Sequence, residues 1–333
     1  MAATACIAIL SYWGEICSPG IFRLICRRFI KSCASMIGRF APSPTGPLHF
    51  GSLLAALASY CEAKSQGGRW LVRMEDLDKP REMAGAADHI LRTLESFGFG
   101  WDGEVVYQSQ RSSLYQDALS ELQAKSLIYN CDCSRKEIAD SYHQRPAHQG
   151  IDGLVYPGTC RHKGAVKSPH ASRVIVNGEP ITLTDAIQGK LQQNLANDLG
   201  DFVLKRADGF CAYQLAVVVD DFEQGITHIL RGADLLDSTP RQIYLQQLLD
   251  YPTPQYAHIP VASNAAGEKL SKQTLAPAID VAQASILLTK ALSFLGQHIP
   301  IDLSEYSAND ILQWAKQHWD ITKVAQQRSS VLS

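Results

Sequence analysis

The chain has 333 residues, 46% of them hydrophobic and 19% charged, enough for one large domain or two modest ones around ordinary soluble cores. Its formal charge of −2 excludes a uniformly basic nucleic-acid binder but leaves room for a local basic face. No apolar run approaches the roughly 20 residues that span a bilayer, so a cytoplasmic protein without membrane contact is expected.

In chain order, residues 1–35 hold Cys6, Cys17, Cys26 and Cys33 among scattered basic residues, with no clean periodicity. They read as a leader ahead of a start at Met36, or as a weak targeting segment without a plain apolar region and cleavage site. Ile37–Ala41 is a short strand, followed by a loop stiffened by Pro42, Pro44 and Pro47 and a helix over Leu53–Lys64. "RWLVRME" alternates as a strand, "EMAGAADHILRTLESFG" has helical spacing with Gly98 as its stop, and Ser112–Lys125 fits another helix. "GFCAYQLAVVVDD", "ITHILRG" and "TPRQIYLQQLLD" repeat the theme, which predicts an α/β domain with a mainly parallel sheet. Residues 36–115 and 207–250 would be its two halves. Residues 116–206 between them, rich in His, Gly and Pro from Cys131 to Arg206, read as an insertion. Residues 251–333 begin with a loop and turn helical in "ASILLTKALSFLG" and "ANDILQWAKQHW". The Gly-x-Gly-x-x-Gly fingerprint of a dinucleotide oxidoreductase does not follow the first strand.

A strand, a rigid loop and a helix opening near His49 form a phosphate-site layout, because helix N-termini present unpaired N–H groups to anions. Gly46 and Gly51 would let a nucleotide approach the backbone, and His49 could donate to a phosphate as charge develops. Taken alone, His49 is equally an incidental histidine in a Pro-rich turn. Near the other end, "GEKLSKQ" sets Lys269 and Lys272 in a short loop, where two ammonium groups can neutralise a leaving pyrophosphate. The pair is far more specific than either element.

With these two elements the sequence resembles the class I aminoacyl-tRNA synthetases: "PLHFGS" is similar to the HIGH signature and "KLSKQ" to KMSKS. "RFAPSPTGPLHFG" and "VRMEDLDKPR" resemble the glutamyl subgroup in particular. The resemblance implies a Rossmann-type parallel sheet and ATP-dependent activation of glutamate to glutamyl-adenylate, with Mg²⁺. It assigns His49 and Lys272 as the catalytic pair and Pro42, His49, Gly51, Ser52, Lys269, Ser271 and Lys272 to ATP. Glutamate would be bound by Arg39, Ala41, Ser43, Glu75, Tyr213 and Arg231. The chemistry agrees: Arg39 and Arg231 can each fork onto a carboxylate, and Glu75 can hold the α-ammonium. Alone, Arg39 or Glu75 would read as half of a strand-end salt bridge.

In the insertion, Cys131 and Cys133 form a Cys-x-Cys pair, and "YPGTC" adds Tyr156 and Cys160. Three thiolates leave one place in a tetrahedral zinc site. Residue chemistry leans to His143, His148 or His162 for it, with buried free thiols as the alternative. The resemblance implies Tyr156, because shortened paralogues of glutamyl-tRNA synthetase carry Cys-x-Cys followed by Tyr-x-x-x-Cys, and a single structural zinc per chain. Only about sixty residues follow "KLSKQ", enough for a small helical piece but short of an anticodon-binding module of roughly one to two hundred residues. The resemblance to the shortened paralogues implies tRNA-independent activation of L-glutamate and its transfer to the cyclopentenediol of queuosine, at the first anticodon position of tRNA(Asp), and a monomer is expected. A truncated glutamyl-tRNA synthetase charging the 3′ end, or an inactive paralogue binding tRNA or glutamate, are the alternatives. RNA contacts are expected from Arg135, Arg161 and Lys163. Leu77, where full-length enzymes usually have threonine, and Ser52, where the signature usually has histidine, depart from ordinary aminoacylation.

Overall fold

The computed structural model describes residues 35–144, 149–151, 153–264 and 277–332. The chain divides into two units, Met1–Met36 and Ile37–Ser333, and the elements described belong to the second. Strands β1 (Ile37–Phe40), β2 (Arg69–Met74) and β3 (Val106–Tyr107) pair in parallel in that spatial order. Helices α1 (Phe50–Ser65) and α2 (Ala86–Ser96) make the crossovers, and α3 (Ser112–Ala124) follows. The alternation read in "RWLVRM" does not become a half-exposed strand. Every residue after Arg69 is buried, as suits a parallel strand covered on both faces.

The chain then leaves this sheet. Strands β4 (Ile128–Cys131), β5 (Ala171–Val174), β6 (Ile181–Asp185), β7 (Gly189–Gln193) and β8 (Val203–Lys205) form an antiparallel sheet ordered β8–β5–β4 and a β6–β7 hairpin. It returns through α4 (Tyr213–Glu223), β9 (His228–Gly232), α5 (Thr239–Leu248) and β10 (Gln255–Ile259), with β9 and β10 parallel. Thr227 fastens this pair to the first sheet: its N–H donates to Ile37 O (3.0 Å) and its Oγ1 accepts from Ile37 N–H (2.8 Å). The spatial order becomes β3–β2–β1–β9–β10, and the order reverses between β1 and β9. In open α/β sheets that reversal opens a crevice at the carboxyl ends of the strands.

α1 begins at Phe50, three residues earlier than its apolar run suggests, because His49 caps it. Its buried residues include Leu53, Leu54, Ala56, Leu57, Ala58 and Tyr60, which surround it on nearly every side. Such a helix needs cover on both flanks. One flank packs on the sheet, where Trp70 meets the Tyr60 ring edge-on at 5.2 Å and donates to Ser59 Oγ at 3.0 Å. The other is covered by α6 (Ala284–Phe294) and α7 (Ala308–His318). Phe294 meets Phe50 edge-on, and Trp319 Nε1 donates to Glu62 Oε2 at 2.6 Å. Strands β11 (Val261–Ser263) and β12 (Ser329–Val331) pair in parallel and tie the described C-terminal residues back to the sheet. Leu57→Ala, at a fully buried position, should cost about 2–5 kcal/mol. Urea denaturation would show this as a lower midpoint at unchanged slope.

Candidate functional site: the switch-point cleft and the cysteine cluster

A cleft of about 680 Å³ opens where the sheet order reverses. Its walls come from the ends of β1 (Arg39–Phe40), β9 (Leu230–Gly232) and β10 (Ile259), from the loop Ala41–His49, and from the first turn of α1. Of the residues assigned from sequence, it gathers Arg39, Ala41, Pro42, Ser43, His49, Gly51, Ser52, Glu75, Tyr213 and Arg231. Lys269, Ser271 and Lys272 lie outside the described residues. The chain on either side of them borders the cleft: Val261 and Ala262 line it, and Ala278 bridges to His49, with Ile279 N–H donating to Leu48 O at 3.0 Å.

His49 is the N-cap itself. Its Nδ1 accepts the backbone N–H of Ser52 (3.3 Å), and its carbonyl accepts from Leu53 N–H. A ring nitrogen that accepts must be unprotonated, so the neutral imidazole carries its proton on Nε2. The cap thereby fixes the tautomer as well as starting the helix.

Beneath the cleft is a buried ionic network that sequence reasoning missed. The fork expected of Arg39 is spent on the protein's own Asp221: Nε and Nη2 donate to its two oxygens at 3.1 and 3.3 Å. Arg73, fully buried, donates to Asp221 (2.8 Å), to Gln224 Oε1 (2.8 Å) and, at 3.4 Å, to Glu75. Asp220 takes Arg111 Nε (2.6 Å), Gln108 Nε2 (2.8 Å) and Tyr115 Oη–H (2.8 Å). Burial opposes the charge on Asp221, but Arg39 and Arg73 outweigh it and hold the carboxyl below its usual value. Glu75 is the opposite case. Burial lifts its carboxyl above the usual range against the pull of Arg73 and Arg39, so a cation entering the cleft would complete its neutralisation. The signal in the sequence was the acid pair closing "AVVVDD", since two carboxylates in an apolar helix must be paired.

Arg231 is held from behind. Nε donates to His258 Nε2 (3.0 Å), and Nη2 donates to Thr239 Oγ1 (2.9 Å) and Gln242 Oε1 (2.8 Å). Its Nη1 is buried and without a hydrogen-bond partner among the described residues. Such groups are rare enough to need an explanation. A ligand carboxylate in the cleft provides one.

In the insertion, the sulfurs of Cys131, Cys133 and Cys160 all lie within 4.8 Å of one another. Tyr156 Oη is 3.2 Å from Cys131 Sγ and 3.7 Å from Cys133 Sγ, and Cys133 and Cys160 are 3.4 Å apart. Those separations approach the edges of a tetrahedron around zinc, whose bonds to sulfur run about 2.3 Å. Of the histidine candidates, His162 is exposed, the His143 side chain lies outside the described ones, and His148 is outside the described residues. Tyr156 Oη lies beside this group and accepts from Cys160 N–H at 3.1 Å. Gly200 makes this placement specific: at φ +74° it bridges to Tyr156, and a Cβ there would stand 2.4 Å from Tyr156 O. The Arg173 guanidinium lies 3.8 Å above the Tyr156 ring and supplies positive charge beside the thiols. Burial works against a Cys131 thiolate, yet Tyr156 and Arg173 bring its thiol below the usual value. The group fits a metal that would brace the insertion.

Of the expected RNA contacts, Arg161 turns inward, while Lys163 stays exposed in an ion pair. Arg161 pairs with buried Asp201, which also accepts from Val176 N–H and Tyr129 Oη–H, and Lys163 reaches both oxygens of Asp132 at 2.8 Å. Asp201 needs a cation to offset its burial, which takes Arg161 from the surface. Arg135 is exposed at the start of a short helix.

This is the architecture of a class I aminoacyl-tRNA synthetase catalytic domain, with its crevice at the sheet reversal and its capped helix end facing that crevice. The family described as "tRNA synthetases class I (E and Q), catalytic domain" matches residues 35–287. The crystal structure of glutamate-tRNA synthetase from Elizabethkingia anophelis superposes with a TM-score of 0.74 at 25% identity, over 90% of this chain and 68% of that one. The glutamyl-Q tRNA(Asp) synthetase of Neisseria meningitidis serogroup C (strain 053442) is 57% identical over 291 residues, 86% of this chain and 96% of the relative. That of Dechloromonas aromatica (strain RCB) is 57% identical over 292 residues, 87% and 96% respectively. The chain belongs to the class I tRNA synthetases of the E and Q type, and within them to the glutamyl-Q tRNA(Asp) synthetase family.

If the cysteine cluster holds zinc, metal analysis of protein purified without chelator should give one zinc per chain. Cys160→Ser should lower that content and the thermal midpoint together, while glutamate activation persists in the folded fraction.

Proposed function

We propose that this chain activates L-glutamate with ATP without needing tRNA, and transfers it to the cyclopentenediol of queuosine at the first anticodon position of tRNA(Asp). One observation carries the glutamate assignment: two buried guanidiniums and one under-neutralised carboxylate surround a cleft that ends at the His49-capped helix. In this reading Arg231 takes one substrate carboxylate, and Arg39, whose Nε and Nη2 stay on Asp221, has only Nη1 to offer the other. Glu75 takes the α-ammonium, and Tyr213, Ala41 and Ser43 shape the pocket. A carboxylate oxygen of glutamate attacks the α-phosphorus of ATP, and the bond to the departing pyrophosphate breaks. His49 Nε2–H donates to the α-phosphate as charge builds, a contribution of the oxyanion-hole type. Mg²⁺ bound with ATP would neutralise pyrophosphate charge, as would Lys269 and Lys272. A ring hydroxyl of queuosine then attacks the acyl carbon, loses its proton and displaces AMP. Positioning supplies much of that second rate, since the adenylate is already a reactive acyl donor.

The choice of acceptor is supported by the relatives' name and by their 57% identity over 96% of their length. No helix among the described residues is long and apolar enough to cross a membrane, in keeping with work on a tRNA in the cytoplasm. ATP-dependent transfer of labelled glutamate should mark queuosine-containing tRNA(Asp). It should mark neither the same tRNA with guanosine at that position nor tRNA(Glu). Label on tRNA(Glu) would replace this reading with 3′-end charging. His49→Asn keeps a good helix cap but loses the Nε2 donor. It should leave the thermal midpoint nearly unchanged and slow glutamate-dependent pyrophosphate exchange by roughly 10²–10³-fold.

A further inference from the structure

Behind Arg231 the polar contacts continue inward as a single line. His258, on β10, and Asp185, at the end of β6, both have fully buried side chains. Asp185 Oδ1 accepts three backbone N–H groups, from Ile187 (3.0 Å), Gln188 (2.8 Å) and His258 (3.1 Å). Its Oδ2 lies 2.6 Å from His258 Nδ1. An ionised carboxylate only accepts, so Nδ1 carries the imidazole proton. Nε2 is then a lone pair, and the Arg231 Nε–H donates to it at 3.0 Å. Thr239 Oγ1 also lies 3.2 Å from Nε2, but a proton there would stand against the Arg231 Nε–H, since arginine cannot accept. Burial favours the neutral ring, pulling His258 down to about 4 despite Asp185. The line uses up Nε of Arg231, Thr239 and Gln242 use Nη2, and the buried Nη1 remains on a residue that lines the cleft.

We propose that Asp185 and His258 are positioning residues for substrate recognition: Asp185 sets the imidazole tautomer, and that tautomer orients the Arg231 fork toward the carboxylate of the bound amino acid. This rests on the reading of Arg231 as a glutamate ligand. Asp185 belongs to the β6–β7 hairpin, outside the parallel sheet, so the hairpin takes part in amino-acid binding without touching the cleft.

The isosteric variant Asp185→Asn separates a positioning role from bulk stability. The three N–H groups hold the amide oxygen at the Oδ1 place, so the amide nitrogen faces His258 Nδ1 and donates to it. The imidazole proton is driven to Nε2, against Arg231 Nε–H. Pyrophosphate exchange by the full chain should then show a glutamate KM raised roughly 10–100-fold, the worth of a buried hydrogen bond to a charged group. The KM for ATP should change less than about 2-fold. In a His258→Gln background the side-chain amide can present its oxygen to Arg231 whatever stands at 185. Adding Asp185→Asn there should have no further effect on the glutamate KM. An unchanged glutamate KM in Asp185→Asn, equal changes for glutamate and ATP, or the same penalty in both backgrounds would each overturn the proposal. If Asp185→Asn does not fold, His258→Phe and His258→Gln decide: only the former should raise the glutamate KM, and equal behaviour overturns the proposal. Arg231→Gln keeps the two readings apart. A normal glutamate KM in that variant removes Arg231 from the site, whereas a raised one beside normal Asp185→Asn removes only the line behind it.

Discussion

One carboxylate organises the cleft. Asp221 sits fully inside the protein and is shared by Arg39 from β1 and Arg73 from β2. Removing one partner from a buried pair typically costs about 3–5 kcal/mol, because it strands the other charge. That penalty clamps α4 to the two strands that end at the cleft. It also settles how Glu75 behaves, since Arg73 gives Asp221 its shorter bond and leaves Glu75 one at 3.4 Å. The poor compensation of Glu75 is thus produced by the full compensation of another acid beneath it.

The same logic runs through the cleft's polar groups, each with its structural side occupied. Asp221 takes two nitrogens of Arg39; His258, Thr239 and Gln242 take two of Arg231; Ser52 N–H takes one nitrogen of the His49 ring. Groups held this way lose little freedom when a ligand arrives, so less of the binding energy goes into ordering them.

Much of this was legible in the sequence. The strand–loop–helix of "RFAPSPTGPLHFG" announced the helix terminus, and alternating elements announced the parallel sheet. Arg39, Glu75, Tyr213 and Arg231 lie in one cleft despite nearly two hundred residues between the first and the last. What the sequence could not show was how a residue's bonding capacity is divided. Arg39 reads as a carboxylate ligand, and it is one, but for Asp221, 182 positions away. His49 reads as a phosphate donor, whereas its capping of α1 depends on backbone geometry. His258 and Asp185 lack a motif altogether, because only the packing of the β6–β7 hairpin against β10 brings them together. In the cysteine cluster, ordinary ligand preference favoured histidine. The fold brings Tyr156 beside the three thiols, held by its bridge to Gly200.

The cover over α1 bears on where this catalytic unit can be cut. The family match stops at residue 287, inside α6 (Ala284–Phe294), whereas the apolar seam against α1 continues through Phe294 and on to Trp319. The family model and the packing therefore draw different boundaries. A chimaera joined where the family model ends would split a helix and uncover the rear of the very helix whose front end caps the cleft. A module swap that respects the physics has to carry both covering helices along, or bring an apolar lid of its own.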